Sequence, residues 1–139
     1  MTAGPLILES DALRVTVDPV IGGAITSIRH KASGASVLGT VPWDPRPGPA
    51  DTHAAPDENA WLQYYSGGWP ILFPNGGDAC TFDGVFHGFH GEASLAQWDA
   101  EQAVGRVVMH RRFAAVPVDM EREIVVEGEA VAIRERVTH

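Results

Sequence analysis

The stretch Ala130-Val-Ala-Ile-Arg-Glu-Arg-Val137 decides the fold class, because its apolar and polar residues alternate with a period of two. Successive side chains of a β-strand point to opposite faces of a sheet. One face of such a strand carries the apolar residues Val131, Ile133 and Val137. The other face carries Ala132, Arg134 and Arg136. We therefore predict a strand with one side against a core and the other side in solvent.

Similar runs recur along the chain, separated by glycine, proline and other turn residues. They are Leu13–Val17, Ala24–Ile28, Ser94–Ala100, Arg106–Ala114 and Val118–Val126. The first two flank the turn Asp18–Gly23 and predict a hairpin. No stretch of the sequence shows a helical pattern, so we expect no helix. Strands at this spacing predict an all-β fold, an antiparallel sandwich or barrel.

Two further segments interrupt this pattern. Residues 40–60 contain five of the ten prolines and predict a long loop. Residues 61–91 are rich in aromatic residues and glycine without a sustained period, which predicts irregular backbone of the kind in which site residues commonly lie.

Chain length, net charge, apolar runs and cysteine content limit the kinds of protein that this sequence can encode. A chain of 139 residues fits a single domain over residues 1–139. A net charge of −8 argues against nucleic acid as a partner, and no apolar run approaches the roughly 20 residues of a membrane span. The first residues lack a signal-peptide pattern, so we expect a cytoplasmic location. Cys80 is the only cysteine, which excludes an internal disulfide, and we expect it to be buried and inert.

Three motifs in order suggest a family. They are Gly67-Gly-Trp-Pro-Ile-Leu-Phe-Pro-Asn-Gly-Gly77, then Asp83-Gly84, then His90-Gly-Glu-Ala-Ser94 with Trp98. The chain thereby resembles the front portion of the aldose 1-epimerase, or galactose mutarotase-like, family, whose members carry a G-G-x-P-x-L-F-P loop, a D-G step and an H-G-x-A motif. The resemblance implies an antiparallel β-sandwich of the galactose-mutarotase (supersandwich) type, in truncated form. It implies a protein that interconverts sugar anomers.

Mutarotation requires a base at the anomeric hydroxyl and an acid at the ring oxygen. Imidazole suits such work, because its ordinary pKa of about 6.5 leaves both protonation states available near neutrality. The resemblance implies that His90 is the catalytic histidine that orients the sugar. We expect its ring to project into an open cleft close to Trp69 and Pro70.

Other residues are candidates for substrate binding. Glu92 is expected to accept a sugar hydroxyl, Asn75 to donate its amide, and Trp69 to stack on the ring. Asp78 and His87 complete the set. A structural role stays open for each of them, and for Glu92 a solvated surface carboxylate is an equal alternative.

The chain departs from the family pattern in two ways. It reads Asn75-Gly-Gly-Asp78-Ala-Cys80 where relatives often place an arginine after the F-P loop. The family's second histidine and its glutamate, the general acid and base, would lie beyond Ile133–Thr138. We therefore expect either a complementing part or a partner, such as a homo-oligomer, with a monosaccharide or sugar phosphate as ligand.

Two alternatives from other classes remain. A non-catalytic carbohydrate-binding module needs no acid and base. A cupin-like metalloprotein could use the pair His87 and His90 together with Glu92 as ligands. Residues three apart in a strand, such as these two histidines, face opposite sides, so we expect no metal and no cofactor.

Overall fold

The computed structural model describes residues 4–46 and 54–139, and these form two antiparallel sheets, a short hairpin and one short helix. The first sheet contains β1 (Leu6–Glu9), β2 (Leu13–Asp18) and β3 (Ala24–His30) in that order. The predicted hairpin is confirmed as β2–β3, and the Asp18 carboxylate accepts the backbone N–H groups of Val20 and Ile21 in its turn.

The second sheet contains four strands joined in sequence order. They are β6 (Asp99–Ala103), β7 (Arg106–Arg112), β8 (Asp119–Glu127) and β9 (Ala130–Thr138). Between the sheets in the chain lie α1 (Glu58–Leu62) and the hairpin of β4 (Cys80–Phe82) and β5 (Val85–His87). The all-β antiparallel prediction is confirmed.

The core lies between the two sheets, as the burial pattern of β8 shows. Its even-numbered residues are buried and its odd-numbered residues are not. Met120, Arg122, Ile124 and Val126 therefore face the first sheet, and β8 contacts β1 and β2. Val15, Val17 and Ile25 supply the opposing side of the same cluster. This packing is that of a β-sandwich.

Several local predictions were wrong. Residues 92–96 form a turn in which the Glu92 carbonyl accepts the N–H groups of Leu95 and Ala96, and β6 begins only at Asp99. Ser94, Leu95 and Ala96 are all buried, so their side chains do not alternate between core and solvent. Residues 80–87, predicted irregular, pair as β4 and β5. Cys80 is exposed rather than buried.

The predicted loop at 40–60 ends in a helix, although no helix was expected. Helix α1 begins at Glu58, where the side chain of Asp57 accepts the backbone N–H of Ala60 as an N-cap. Residues 47–53 of this predicted loop lie outside the described residues. The helix has only five residues, and in the described ranges no helix is long and apolar enough to cross a membrane.

Candidate functional site

Two of the sequence motifs meet in space through the backbone of Phe73. Its carbonyl oxygen accepts the N–H groups of Glu92 and Ala93 at 2.9 and 3.1 Å, and Phe73 forms a parallel bridge with Gly91. Gly91 has φ +74°, and a Cβ at this position would lie 2.2 Å from the Phe73 oxygen. Only glycine allows this approach, so the motif beginning at His90 is fitted to the loop at 67–77.

The start of that loop is fixed against β3. Trp69 and Ile25 exchange two backbone hydrogen bonds of 2.8 and 3.1 Å. Gly68 precedes this contact with φ +70°, and a Cβ there would lie 2.4 Å from the Ile25 carbonyl oxygen. These hydrogen bonds fix the backbone at Trp69, and the residue itself is 49% exposed.

Trp69 lines a groove with a volume of about 530 Å³, called the Trp69 groove below. One wall is the loop at 69–73, and the other consists of side chains from β8 and β9. The second wall contributes Met120, Arg122, Ile133 and Glu135. Volumes of this size are typical of small-molecule sites.

Arg122 is the unusual member of this groove. Its side chain is 2% exposed, its Nη1 lies 3.3 Å from Oε1 of Glu135, and its buried Nε has no hydrogen-bond partner in the described part of the chain. Burial lowers the pKa of the guanidinium, and the Glu135 carboxylate opposes that shift. The Nε of Arg122 requires an explanation, because buried N–H donors nearly always form a hydrogen bond.

His90 does not line the Trp69 groove. Its ring is partly buried, with ring centres 4.0 Å from Phe89 and 4.8 Å from Trp61. Trp61 also borders a small cavity together with Pro70. The imidazole of His90 therefore packs against aromatic side chains and lies outside the Trp69 groove.

The backbone of His90 is strained. Its φ is +60°, in the left-handed region that side-chain-bearing residues seldom occupy, and its N–H donates to the Gly77 carbonyl at 2.9 Å. Its buried Nδ1 has no partner among residues 4–46 and 54–139. Such strain often accompanies a functional position.

Glu92 lies in a different environment from the one expected of a hydroxyl acceptor or of a solvated surface carboxylate. It is 1% exposed, and its two carboxylate oxygens accept the backbone N–H groups of Ala114 and Ala115, each at 2.7 Å. Both oxygens therefore hold the turn after β7.

The remaining candidates are divided between the loop and the hairpin. Asn75 donates its amide to the carbonyl oxygens of Asp78 and Gly88 at 3.3 and 2.9 Å, which fixes the loop. Asp78 is exposed. His87 is 7% exposed and lies at the end of β5, in a second groove with Asn75. Trp69 is thus the one predicted site residue that lines the Trp69 groove.

Sequence reasoning missed Arg122 and Glu135. A signal was present, because Arg122 interrupts the buried series Met120, Ile124 and Val126 at a position where an apolar residue is expected. Glu135 does the same opposite it, since the two residues are partners in the β8–β9 register. A charge at an inward position of a strand is therefore the feature that identifies this site.

No group of three or more histidine, cysteine, aspartate or glutamate side chains within the described residues could hold a metal ion. Comparisons with protein-family models, with curated proteins and with solved structures give no match to this chain.

Proposed function

We propose that this chain is a carbohydrate-active protein of the aldose 1-epimerase type, with the galactose-mutarotase form of the β-sandwich, and that it binds a monosaccharide in the Trp69 groove. The observation that carries the proposal is the combination of a half-exposed tryptophan and an Arg122–Glu135 ion pair in one groove.

The chemistry of a sugar ring matches these groups. The C–H face of a pyranose packs on indole, so Trp69 supplies a platform. A sugar hydroxyl both donates and accepts hydrogen bonds, so neighbouring hydroxyls can accept from the Arg122 guanidinium and donate to the Glu135 carboxylate. The Nε of Arg122, which has no hydrogen-bond partner among residues 4–46 and 54–139, supports a polar occupant of this groove.

In this proposal the sugar extends beyond the lining of the Trp69 groove towards His90, which orients the sugar near its ring oxygen. Support comes from its resemblance to the family histidine, from its strained backbone and from its buried Nδ1 without a partner in the described ranges. Ring opening also needs a general acid and a general base, and the proposal assigns these two groups to a complementing part or a partner.

A second candidate is a carbohydrate-binding module without catalysis. One observation favours it: the residues that line the Trp69 groove include a carboxylate, Glu135, but no imidazole. Binding alone requires only the platform and the polar pair.

Polarimetry separates the two functions. Freshly dissolved α-D-glucose or α-D-galactose should lose its excess optical rotation faster with the protein than in buffer if the protein is an epimerase. The variant His90→Asn should then slow this rate by roughly 100-fold, the cost of losing a group that positions the sugar for the reaction. A rate equal to that of buffer, combined with saturable binding by calorimetry, identifies a binding module.

The variant Trp69→Ala tests the groove in either case. It should weaken binding by about tenfold, or ~1.4 kcal/mol. Phe82→Ala is the matched control, because Phe82 is 75% exposed and lies outside the Trp69 groove. Glucose 6-phosphate, tested beside glucose, shows whether the ligand is phosphorylated. If no sugar binds and no rate changes, the proposal is wrong.

The proposal also includes the oligomeric state and the location of the protein. We propose association of this chain into a homo-oligomer or with a complementing chain, because β9 ends its sheet and Val137, on its core-facing side, is 48% exposed. We also propose a cytoplasmic location, which suits the exposed free thiol of Cys80, since free thiols persist in reducing compartments.

A further inference from the structure

The β4–β5 hairpin places the single cysteine opposite a histidine. Cys80 and His87 are register partners, so their side chains lie on the same face of the hairpin, with Cβ atoms about 4.5–5.5 Å apart. Both residues line a groove of about 400 Å³ whose other residues are Pro74, Asn75, Phe82 and Val116. This groove shares no lining residue with the Trp69 groove.

Two polar atoms of this groove's residues lack partners. His87 is 7% exposed and its Nδ1 has no hydrogen bond within the described residues. The Oδ1 of Asn75 is likewise buried without a partner, although the amide nitrogen of the same side chain is anchored to Gly88 and Asp78. A buried polar atom without a hydrogen bond is unfavourable, so a ligand that supplies this hydrogen bond gains affinity.

We propose that Cys80 and His87 form a nucleophilic thiol site for small conjugated carbonyl compounds. Cys80 is exposed and therefore open to a reagent, and a histidine beside a thiol is the usual means of generating the reactive thiolate. Pro74, Phe82 and Val116 supply apolar walls for the carbon skeleton.

The reaction is an addition and is balanced within the site. The thiol proton moves to the imidazole of His87 as Sγ of Cys80 forms a bond to the β carbon of the ligand. The C=C π bond opens, and the α carbon takes the proton back from the imidazolium. Nothing is oxidised or reduced, and no group leaves. The Oδ1 of Asn75 can accept a hydrogen bond from a ligand N–H, which favours conjugated amides.

Acrylamide is a suitable probe, with glutathione as the reference thiol at the same pH. We expect intact-mass spectrometry to show one addition per chain, absent in Cys80→Ser, with a rate at neutral pH at least about tenfold above that of glutathione. The variant His87→Asn should lower the rate to near the glutathione value. His110→Asn is the matched control, since His110 is half exposed on β7, outside this groove.

A second reagent tests Asn75 without any substitution. N,N-dimethylacrylamide has no N–H, so the protein should prefer acrylamide over it by a larger factor than glutathione does. Should Cys80 react no faster than glutathione, or should His87→Asn leave the rate unchanged in a folded protein, the proposal is overturned. If that variant does not fold by circular dichroism, the ratio of wild-type protein to glutathione decides alone. Sugar plays no part in these measurements, so they are independent of the proposed function.

Discussion

The backbone of Gly91 crosses that of Phe73 so closely that a Cβ on residue 91 would lie 2.2 Å from the Phe73 carbonyl oxygen. We predict that Gly91→Ala lowers the free energy of unfolding by about 2 kcal/mol or more, since it combines this clash with a left-handed backbone. Gly76→Ala is the control, because Gly76 lies in the loop that contains Phe73 and a Cβ at this position would meet nothing within 4 Å. Equal urea midpoints for the two variants would contradict this account of the crossing.

Glu92 provides a second test of the region around the site. Its carboxylate accepts the N–H groups of Ala114 and Ala115, and Glu92→Gln replaces one acceptor oxygen by a donor. We expect a loss of about 1.5–3 kcal/mol in the free energy of unfolding, the range for hydrogen bonds to charged groups. Glu129→Gln, at an exposed turn position, should change it by no more than ~0.5 kcal/mol. If Glu92→Gln is as stable as that control, the buried carboxylate does not hold the turn.

The Arg122–Glu135 pair yields a prediction about the interaction energy between the two side chains. Glu135→Gln leaves a guanidinium that is 2% exposed without its countercharge. Because Glu135 itself is 42% exposed, we expect a loss of about 1–2 kcal/mol, less than for a fully buried pair. The double variant Arg122→Met with Glu135→Leu should recover most of this loss, since apolar residues can replace a buried pair. A double-mutant cycle in urea, with Arg122→Met, Glu135→Leu and their combination, measures the coupling energy, and a value of zero would contradict the pair.

Stability should also depend on pH through Glu9. Hydrogen bonds and ion pairs with Arg14 and Lys31 lower the pKa of this carboxyl in the folded state. The folded-state value is below the unfolded one, so the stabilising contribution is present at neutral pH and is lost as the pH falls through the lowered pKa. Wild-type protein should exceed Glu9→Gln in unfolding free energy at pH 7, and the difference should disappear in acid. A difference that grows on acidification would contradict the direction of the shift.

Sequence reasoning located the long strands because their apolar residues recur on one face, which is buried in β2, β7 and β8 and half-buried at Val131 and Ile133 of β9. β2, β7, β8 and β9 repeat with a period of two, and their positions were predicted closely. β4 and β5 have three residues each, too few to show a period, and α1 depends on the cap at Asp57.

The site was less accessible to prediction because its contacts are distant in sequence. The partners of Glu92 lie 22 and 23 residues away, beyond the reach of any local pattern. Trp69 was identified from its irregular, proline-containing loop, whereas the charges of Arg122 and Glu135 at inward positions of regular strands were overlooked. Charges at inward strand positions were nevertheless the stronger signal, because a buried charge needs a partner wherever it lies.

The open edge of β9 yields the last prediction. Val137 is 48% exposed on the core-facing side of a strand that pairs only with β8 among the described strands. Because unpaired edges and uncovered apolar residues favour association, the wild-type protein should show a concentration-dependent increase in mass by analytical ultracentrifugation. Val137→Lys should shift it toward the monomer, since a lysine at an edge opposes pairing. Val104→Lys, at a fully exposed residue in the β6–β7 turn, should leave the distribution unchanged. A wild-type protein that is monomeric at every concentration would show that this edge does not mediate self-association.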